Sequence, residues 1–321
     1  MMRNFIGVFT ALSCASFVFA DANDTYLLVG AYWDSSVLKY NAYTGAYLGK
    51  FIPSQYGSLA LPECMVLRPT GNLYIASVGQ TVQGHTYGGA PSIKRYDYKT
   101  GVFLGDFAAG GGLDSPRGIV FGPDDNLYVC SDYSHEVLRY NGQTGAFMDA
   151  FVPAHSGGLT QARDLQFWGD SLYVSSSGTD NILRYDANTG AYIGVFASSV
   201  HLDNPQDMAL GPDALLYVSS GVTDSVVRFN MQTGNFVDVF VPPNSGGLDN
   251  PNGLAFGPDG DLLVASNLTN NVLRYDGKTG AFIGVFASEG LADPTYMLIV
   301  PEPATLSLLA LGGLALIRRR R

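Results

Sequence analysis

Charge is scarce in this chain, and histidine and cysteine are scarcer. Only 14% of its 321 residues are Asp, Glu, Lys or Arg, against 46% hydrophobic. A chain so composed buries a core, which excludes an intrinsically disordered protein. The basic residues are the poorer sign: 18 Lys and Arg face 28 Asp and Glu, a formal charge of −10. That balance excludes nucleic acid as a partner, because its phosphates demand a basic face. The four histidines, His85, His135, His155 and His201, show no metal-ligand spacing such as HxxxH. The GKS/T context of a phosphate loop is missing, so the glycine-rich stretches HSGGL and SGGLDNP are connectors. Asp-rich turns such as Pro123–Asp124–Asp125–Asn126 resemble fragments of calcium loops, but none completes the 12-residue pattern. The expectation is therefore no cofactor, with weak calcium binding left open. Of the three cysteines, Cys64 and Cys130 lie in the body of the chain, where they pair only if their Cα atoms approach within about 7 Å.

Glycine and aromatic residues are plentiful. Thirty-nine glycines and 12% aromatics favour β structure with many turns. Length alone suggests about two domains at roughly 150 residues each, but an internal repeat overrides that prior. VLKYNAYTGAYLGKFI (37–52) returns as IKRYDYKTGVFLGDFA, VLRYNGQTGAFMDAFV, ILRYDANTGAYIGVFA, VVRFNMQTGNFVDVFV and VLRYDGKTGAFIGVFA. The Thr-Gly glycines fall at 45, 101, 145, 190, 234 and 280. A period of about 40 to 50 residues made of strand-like units predicts a β-propeller. The longer first spacing predicts an insertion over 79–92. Each unit resolves into four strands; in the last, these run over 253–257, 262–266, 271–275 and 281–286. Runs apolar on both faces, such as LLVAS and FIGVF, suit blades packed between neighbours. TYLLVGA (25–31) lacks a preceding first strand, and DPTYMLIV (293–300) lacks followers, so the two complete one blade and close the ring. The expected fold is all-β: a six-bladed propeller over 21–300, closed by a composite blade.

The two ends are addresses. MMRNFIGVFTALSCASFVFA has a positive start, a short apolar stretch and a small-residue end, the order of a secretory signal peptide cut after Ala20. That implies the Sec export machinery as a partner. The segment 301–321, PEPATLSLLALGGLALIRRRR, joins Pro301–Glu302–Pro303 to an apolar run and Arg318, Arg319, Arg320 and Arg321. This tail resembles the PEP-CTERM sorting signal of Gram-negative bacteria. The resemblance implies processing by an exosortase-type membrane protease, transient inner-membrane anchoring through an apolar helix, and delivery to the outer envelope, cell surface or exterior. Without its two labels the domain keeps 13 bases against 27 acids, a net of −14, which suits solubility outside the cell.

The run from Pro116 to Tyr140, PRGIVFGPDDNLYVCSDYSHEVLRY, resembles the NHL repeat of six-bladed propellers. Its glycines, prolines and apolar positions specify fold rather than activity. By repeat position, the starts of the first strands lie at the channel mouth: Glu63, Arg117, Arg163, Gln206, Asn252 and Thr295, followed by Cys64, Asp164, Asp207 and Tyr296. These polar identities change from blade to blade within a constant scaffold, which is the pattern of a binding site. The expected ligand-binding set is Glu63, Arg117, Arg163, Asp164, Gln206, Asp207 and Asn252. The repeated Lys39, Arg95, Arg139, Arg184, Arg228 and Arg274 occupy one scaffold position, with heads expected to meet aspartates.

Two functions follow as expectations. One is an exported surface or matrix propeller that binds a polysaccharide, peptide or protein partner on its loop face, where Trp33, Tyr56, Tyr87 and Tyr133 offer aromatic surface. The other is an enzyme. PNGLAFGPDG (251–260) resembles lactonase-type propellers, a resemblance implying a divalent metal on a set that Glu63 and Asn252 match in part. Arg117, Arg163 and Gln206 stand where further oxygen ligands are wanted, and two arginines oppose a cation. A lyase or hydrolase using Arg163, Asp164 and a loop histidine without that metal is the remaining catalytic form.

Overall fold

The computed structural model describes residues 25–301 except 80, 83, 84 and 87. The signal segment ending at Ala20, the sorting residues from Glu302 onward, and the side chains of His85 and Tyr87 lie outside the described residues.

Six four-stranded antiparallel sheets surround one axis. Blade I consists of Pro294–Pro301, Thr25–Ala31, Ser36–Asn41 and Tyr47–Ile52, counted outward from the axis. Blades II to VI begin at Pro62–Leu67, Pro116–Phe121, Ala162–Trp168, Pro205–Leu210 and Pro251–Phe256, each followed by its three successive strands. The first strands contact one another around a closed circle. Blade I is the composite blade: Thr25 pairs with Pro301 and Leu28 with Leu298, so the two ends of the domain share one sheet. The insertion after blade II's second strand holds a small hairpin, Thr81–Val82 against His85–Thr86.

The Thr-Gly glycines explain the period. Each has φ between 69° and 73°, a left-handed backbone that glycine adopts without Cβ strain. A Cβ at Gly190 would lie 1.9 Å from the Phe151 carbonyl oxygen of the preceding blade, and the other five glycines face equivalent carbonyls. The Asn or Asp opening each turn fixes it: Asp186 Oδ1 accepts the N–H of Asn188 and Thr189 at 3.0 and 2.9 Å. This is an Asx turn. The repeat thus encodes both a hairpin and the close approach of one blade to the next.

The second strands are buried apart from Asn72 and Leu215 at two of their starts, and LLVAS is buried throughout. The fourth strands are not. Phe282, Ile283 and Val285 are exposed, as are Ile193 and Val195. Blades fan apart as they leave the axis, so only the inner strands are packed on both faces, and the expectation of full packing fails for FIGVF. The repeated cations also divide. Arg139, Arg228 and Arg274 pair with Asp149, Asp238 and Asp261. Lys39 instead lies over Tyr26, Arg95 over Phe107, and Arg184 donates to Ser171.

On the loop face, the residue before each first strand is left-handed: Leu61, Ser115, Gln161, Asn204, Asn250 and Asp293, with φ of 50° to 58°. Five of their N–H groups are capped by a side chain from the preceding blade. The acceptors are Ser35 Oγ, His135 Nδ1, Asp180 Oδ1, Asp224 Oδ1 and Asn270 Oδ1, at 2.7 to 3.2 Å. These ties hold the mouth of the ring at a fixed width, each at about 1 kcal/mol.

Candidate functional site

The first-strand starts do converge at the mouth of the channel. Glu63 of blade II is 2% exposed, and its Oε1 accepts from Arg117 Nη1 of blade III. Arg117 Nε also donates to Asp132 Oδ2 at 3.3 Å, and Arg163 Nη1 of blade IV reaches the same oxygen at 3.4 Å. Arg163 Nε donates to Ser177 Oγ at 3.3 Å. Glu63, Arg117, Asp132 and Arg163 therefore form one chain of charge across three blades. Burial and the neighbouring Arg117 both pull the Arg163 pKa below its usual value, although guanidinium stays protonated at any ordinary pH.

Three buried carboxylate or amide oxygens at this mouth have no hydrogen-bond partner, Asp132 Oδ1, Asn252 Oδ1 and Asp293 Oδ1, and the Ser115 hydroxyl, at the repeat position of Asp293, has none either. A buried acceptor left unmade costs roughly 1 to 3 kcal/mol, and native proteins retain few. Asp293 is pushed up to about 6 by desolvation, against the lowering field of Arg117 and a hydrogen bond from Asn267. Burial raises the Tyr32 hydroxyl, with Arg117 opposing and Tyr133 and Asp293 reinforcing. The Tyr32 ring lies 5.9 Å from the Arg117 guanidinium carbon and packs edge-on against Trp33. Trp33 and Tyr133 are about half exposed. The mouth is thus a polar floor bordered by aromatic rings.

One layer below, Asp164 and Asp207 are turned into the wall. Asp164 Oδ2 accepts the Met208 N–H at 3.1 Å; Asp207 accepts the N–H of Met208 at 2.8 Å and of Leu254 at 2.7 Å. Each carboxylate so ties its first strand to the next blade. Burial raises Asp164 to about 7. Asp207 is raised by burial first and by the Asp164 charge second. Burial therefore favours the protonated form of both carboxyls, and the charge of one disfavours ionisation of the other. Gln206 is 7% exposed, and its amide nitrogen donates to the Asn204 side chain. Thr295 Oγ1 donates to the Pro62 carbonyl at 2.8 Å. Beneath the mouth Tyr296 crosses the axis, donating to the Arg163 carbonyl at 3.2 Å.

Sequence reasoning placed Glu63, Arg117, Arg163 and Asn252 at the mouth but missed Asp132, Asp293 and Tyr32. A signal was present. Tyr32, Val78, Asp132, Ser177, Gly221 and Asn267 share one repeat position, just past each second strand, and vary as the first-strand starts do. The three described histidine side chains lie at blade seams. His135 and His155 lie with ring centres 4.7 Å apart at the seam of blades III and IV, and His201 stacks on Phe236. Cys64 and Cys130 are both buried free thiols.

The metal set implied by the lactonase resemblance does not fit. The Glu63 carboxylate is already engaged by Arg117, and Arg163 stands beside that guanidinium, sharing Asp132 with it. Among the described residues no three His, Cys, Asp or Glu side chains converge on a cation position.

Fold and site together define a six-bladed β-propeller with a closed channel and a polar mouth. Residues 300–321 match the PEP-CTERM protein-sorting motif. That match implies export, a transient membrane anchor and exosortase-type processing. No curated protein matches the chain by sequence. Among solved structures, a chain of the nidogen/laminin complex superimposes with TM-score 0.67 at 15% identity, covering 86% of this chain and 98% of that one. A periplasmic gluconolactonase of Pseudomonas aeruginosa gives 0.63 at 13% identity, over 87% and 100%. A streptogramin B lyase gives 0.55 at 13%, over 86% and 78%. At such identities the likeness is one of fold, and the NHL-like propeller expected from the repeat agrees with it.

Proposed function

We propose that the chain is an exported glycan-binding propeller of the cell envelope or its surroundings, with the channel mouth as its binding site. The observation that carries this reading is the set of three buried acceptor oxygens without partners, on Asp132, Asn252 and Asp293. Such oxygens call for a donor-rich ligand, and sugar hydroxyls are donors that also accept from the neighbouring arginines. Trp33 and Tyr133 border the mouth as amphipathic platforms suited to a sugar ring. The sorting tail supports an extracellular setting for such a ligand.

Glycan-array binding by the full-length chain tests the proposal. Asp132→Asn keeps the shape of the site but turns one acceptor into a donor; it is expected to lower affinity at least tenfold. Retained affinity in Asp132→Asn and in Asn252→Ala would remove the mouth from consideration.

A further inference from the structure

Blade II breaks the repeat at one buried position. Where the third strands of blades I, III, IV, V and VI carry Leu38, Leu138, Leu183, Val227 and Leu273, all at most 1% exposed, blade II carries Lys94. Its side chain is 3% exposed, and its Nζ lies 2.7 Å from Asp106 Oδ1, whose own side chain is 54% exposed. Lysine is almost never so buried without compensation. An ammonium carries three donors, and Asp106 takes one. Two residues earlier, the Ser92 hydroxyl is 2% exposed and has no hydrogen-bond partner.

These groups line a cleft of about 400 Å³, bounded by Gly57 and Ser58 of the connector from blade I and by Gly89, Ala90, Pro91 and Phe103. The volume falls within the range of small-ligand sites. Packing alone does not call for the lysine, since five sister blades fill the position with an aliphatic side chain. The local charge sums to zero, Lys94 against Asp106, within a domain of net −14. An anionic ligand would be repelled by the domain and would compete with Asp106. A neutral ligand rich in hydroxyl oxygens instead accepts from Lys94, donates to Asp106 and exchanges a bond with Ser92. The Phe103 ring and the Ala90–Pro91 wall meet its C–H face.

We propose that this cleft binds one neutral sugar ring, as a second subsite on the outer margin of the loop face. It does not depend on the mouth: a mouth that binds nothing leaves the cleft's chemistry intact.

Calorimetric titration of the full-length chain with the methyl glycosides of glucose, galactose and mannose, and with glucuronate and galacturonate, tests this. At least one neutral glycoside is expected to bind. Lys94→Leu installs the residue of the sister blades, so its melting temperature is expected to equal or exceed that of the parent, with affinity at least tenfold weaker. Ser92→Ala, which removes only the unpartnered hydroxyl, is expected to weaken binding several-fold and gives a second reading of the same site. Asp132→Asn at the mouth is expected to leave this affinity unchanged, separating the two sites. The proposal is overturned if no neutral glycoside binds, if a uronate binds tenfold tighter than its neutral parent, or if both cleft variants keep full affinity.

Discussion

The Tyr296 hydroxyl of blade I donates to the backbone carbonyl of Arg163 on blade IV, at 3.2 Å, and so bars the axis of the ring. Blades I and IV lie opposite one another, and the ring between them is 6% exposed. The mouth is therefore a dead-ended pocket rather than the entrance to a pore. Tyr296→Phe keeps the bar and loses its anchor. Its expected cost is about 1 kcal/mol, read by urea unfolding, with mouth affinity unchanged because Asp132 and Ser177 still hold the Arg163 guanidinium.

The Thr-Gly glycines make a sharper prediction. Gly190→Ala combines a left-handed backbone with a Cβ aimed at a carbonyl of the preceding blade. It is expected to destabilise by roughly 2 to 4 kcal/mol. Gly194, four residues on, has open space around its Cβ position. Gly194→Ala is expected to change stability by less than about 0.5 kcal/mol, so thermal unfolding of the two variants separates inter-blade contact from strand propensity.

The ties between blades can be tested at His135. Its Nδ1 accepts the Gln161 N–H at 2.8 Å, the bond that Asp180 and Asp224 make at later seams. His135→Ala is expected to cost about 1 kcal/mol. His135→Asp supplies the acceptor used elsewhere in the ring and is expected to restore most of that loss. Equal unfolding midpoints for the two variants would show that the tie contributes nothing.

The Asp164–Asp207 pair predicts a pH dependence of definite sign. Both carboxyls are raised above their unfolded value near 4 by burial and by each other. The folded state thus binds more protons than the unfolded chain above that value. Its stabilising contribution is complete below pH 4 and is lost as pH rises through about 7. The difference in melting temperature between the parent and Asp207→Asn, followed from pH 4 to pH 8, is expected to narrow with rising pH. A constant difference would refute the raised carboxyl values. Asp97, Asp186 and Asp276, which accept turn N–H and hydroxyl hydrogen bonds, have lowered values and act in the opposite sense at the acid end, which is why the comparison with the variant is needed.

Much of this architecture is legible from the repeat, because a repeated glycine or Asx residue reports a backbone need that recurs at every blade. Gly45 and Gly280 sit alike because both approach the preceding blade. The composite blade follows from strand types missing at each end. The site is less legible, because its members come from different repeat positions that only ring closure brings together. Asp132 follows a second strand, Asp293 precedes a first strand, and Arg117 lies within one. Alternation along a strand also separates Arg163, which faces the mouth, from Asp164, which ties the wall. Lys94 is visible in IKRYD beside VLRYN, yet only the structure shows the Ser92 hydroxyl and the cleft beside it.

The last strand begins at Pro294 beside the mouth and ends at Pro301, paired with Thr25 on the opposite face. Its eight residues span about 26 Å, the full depth of the ring. The described chain therefore ends on the face opposite the mouth. Both proposed sites thus lie on the face away from the point where the sorting segment joins the ring.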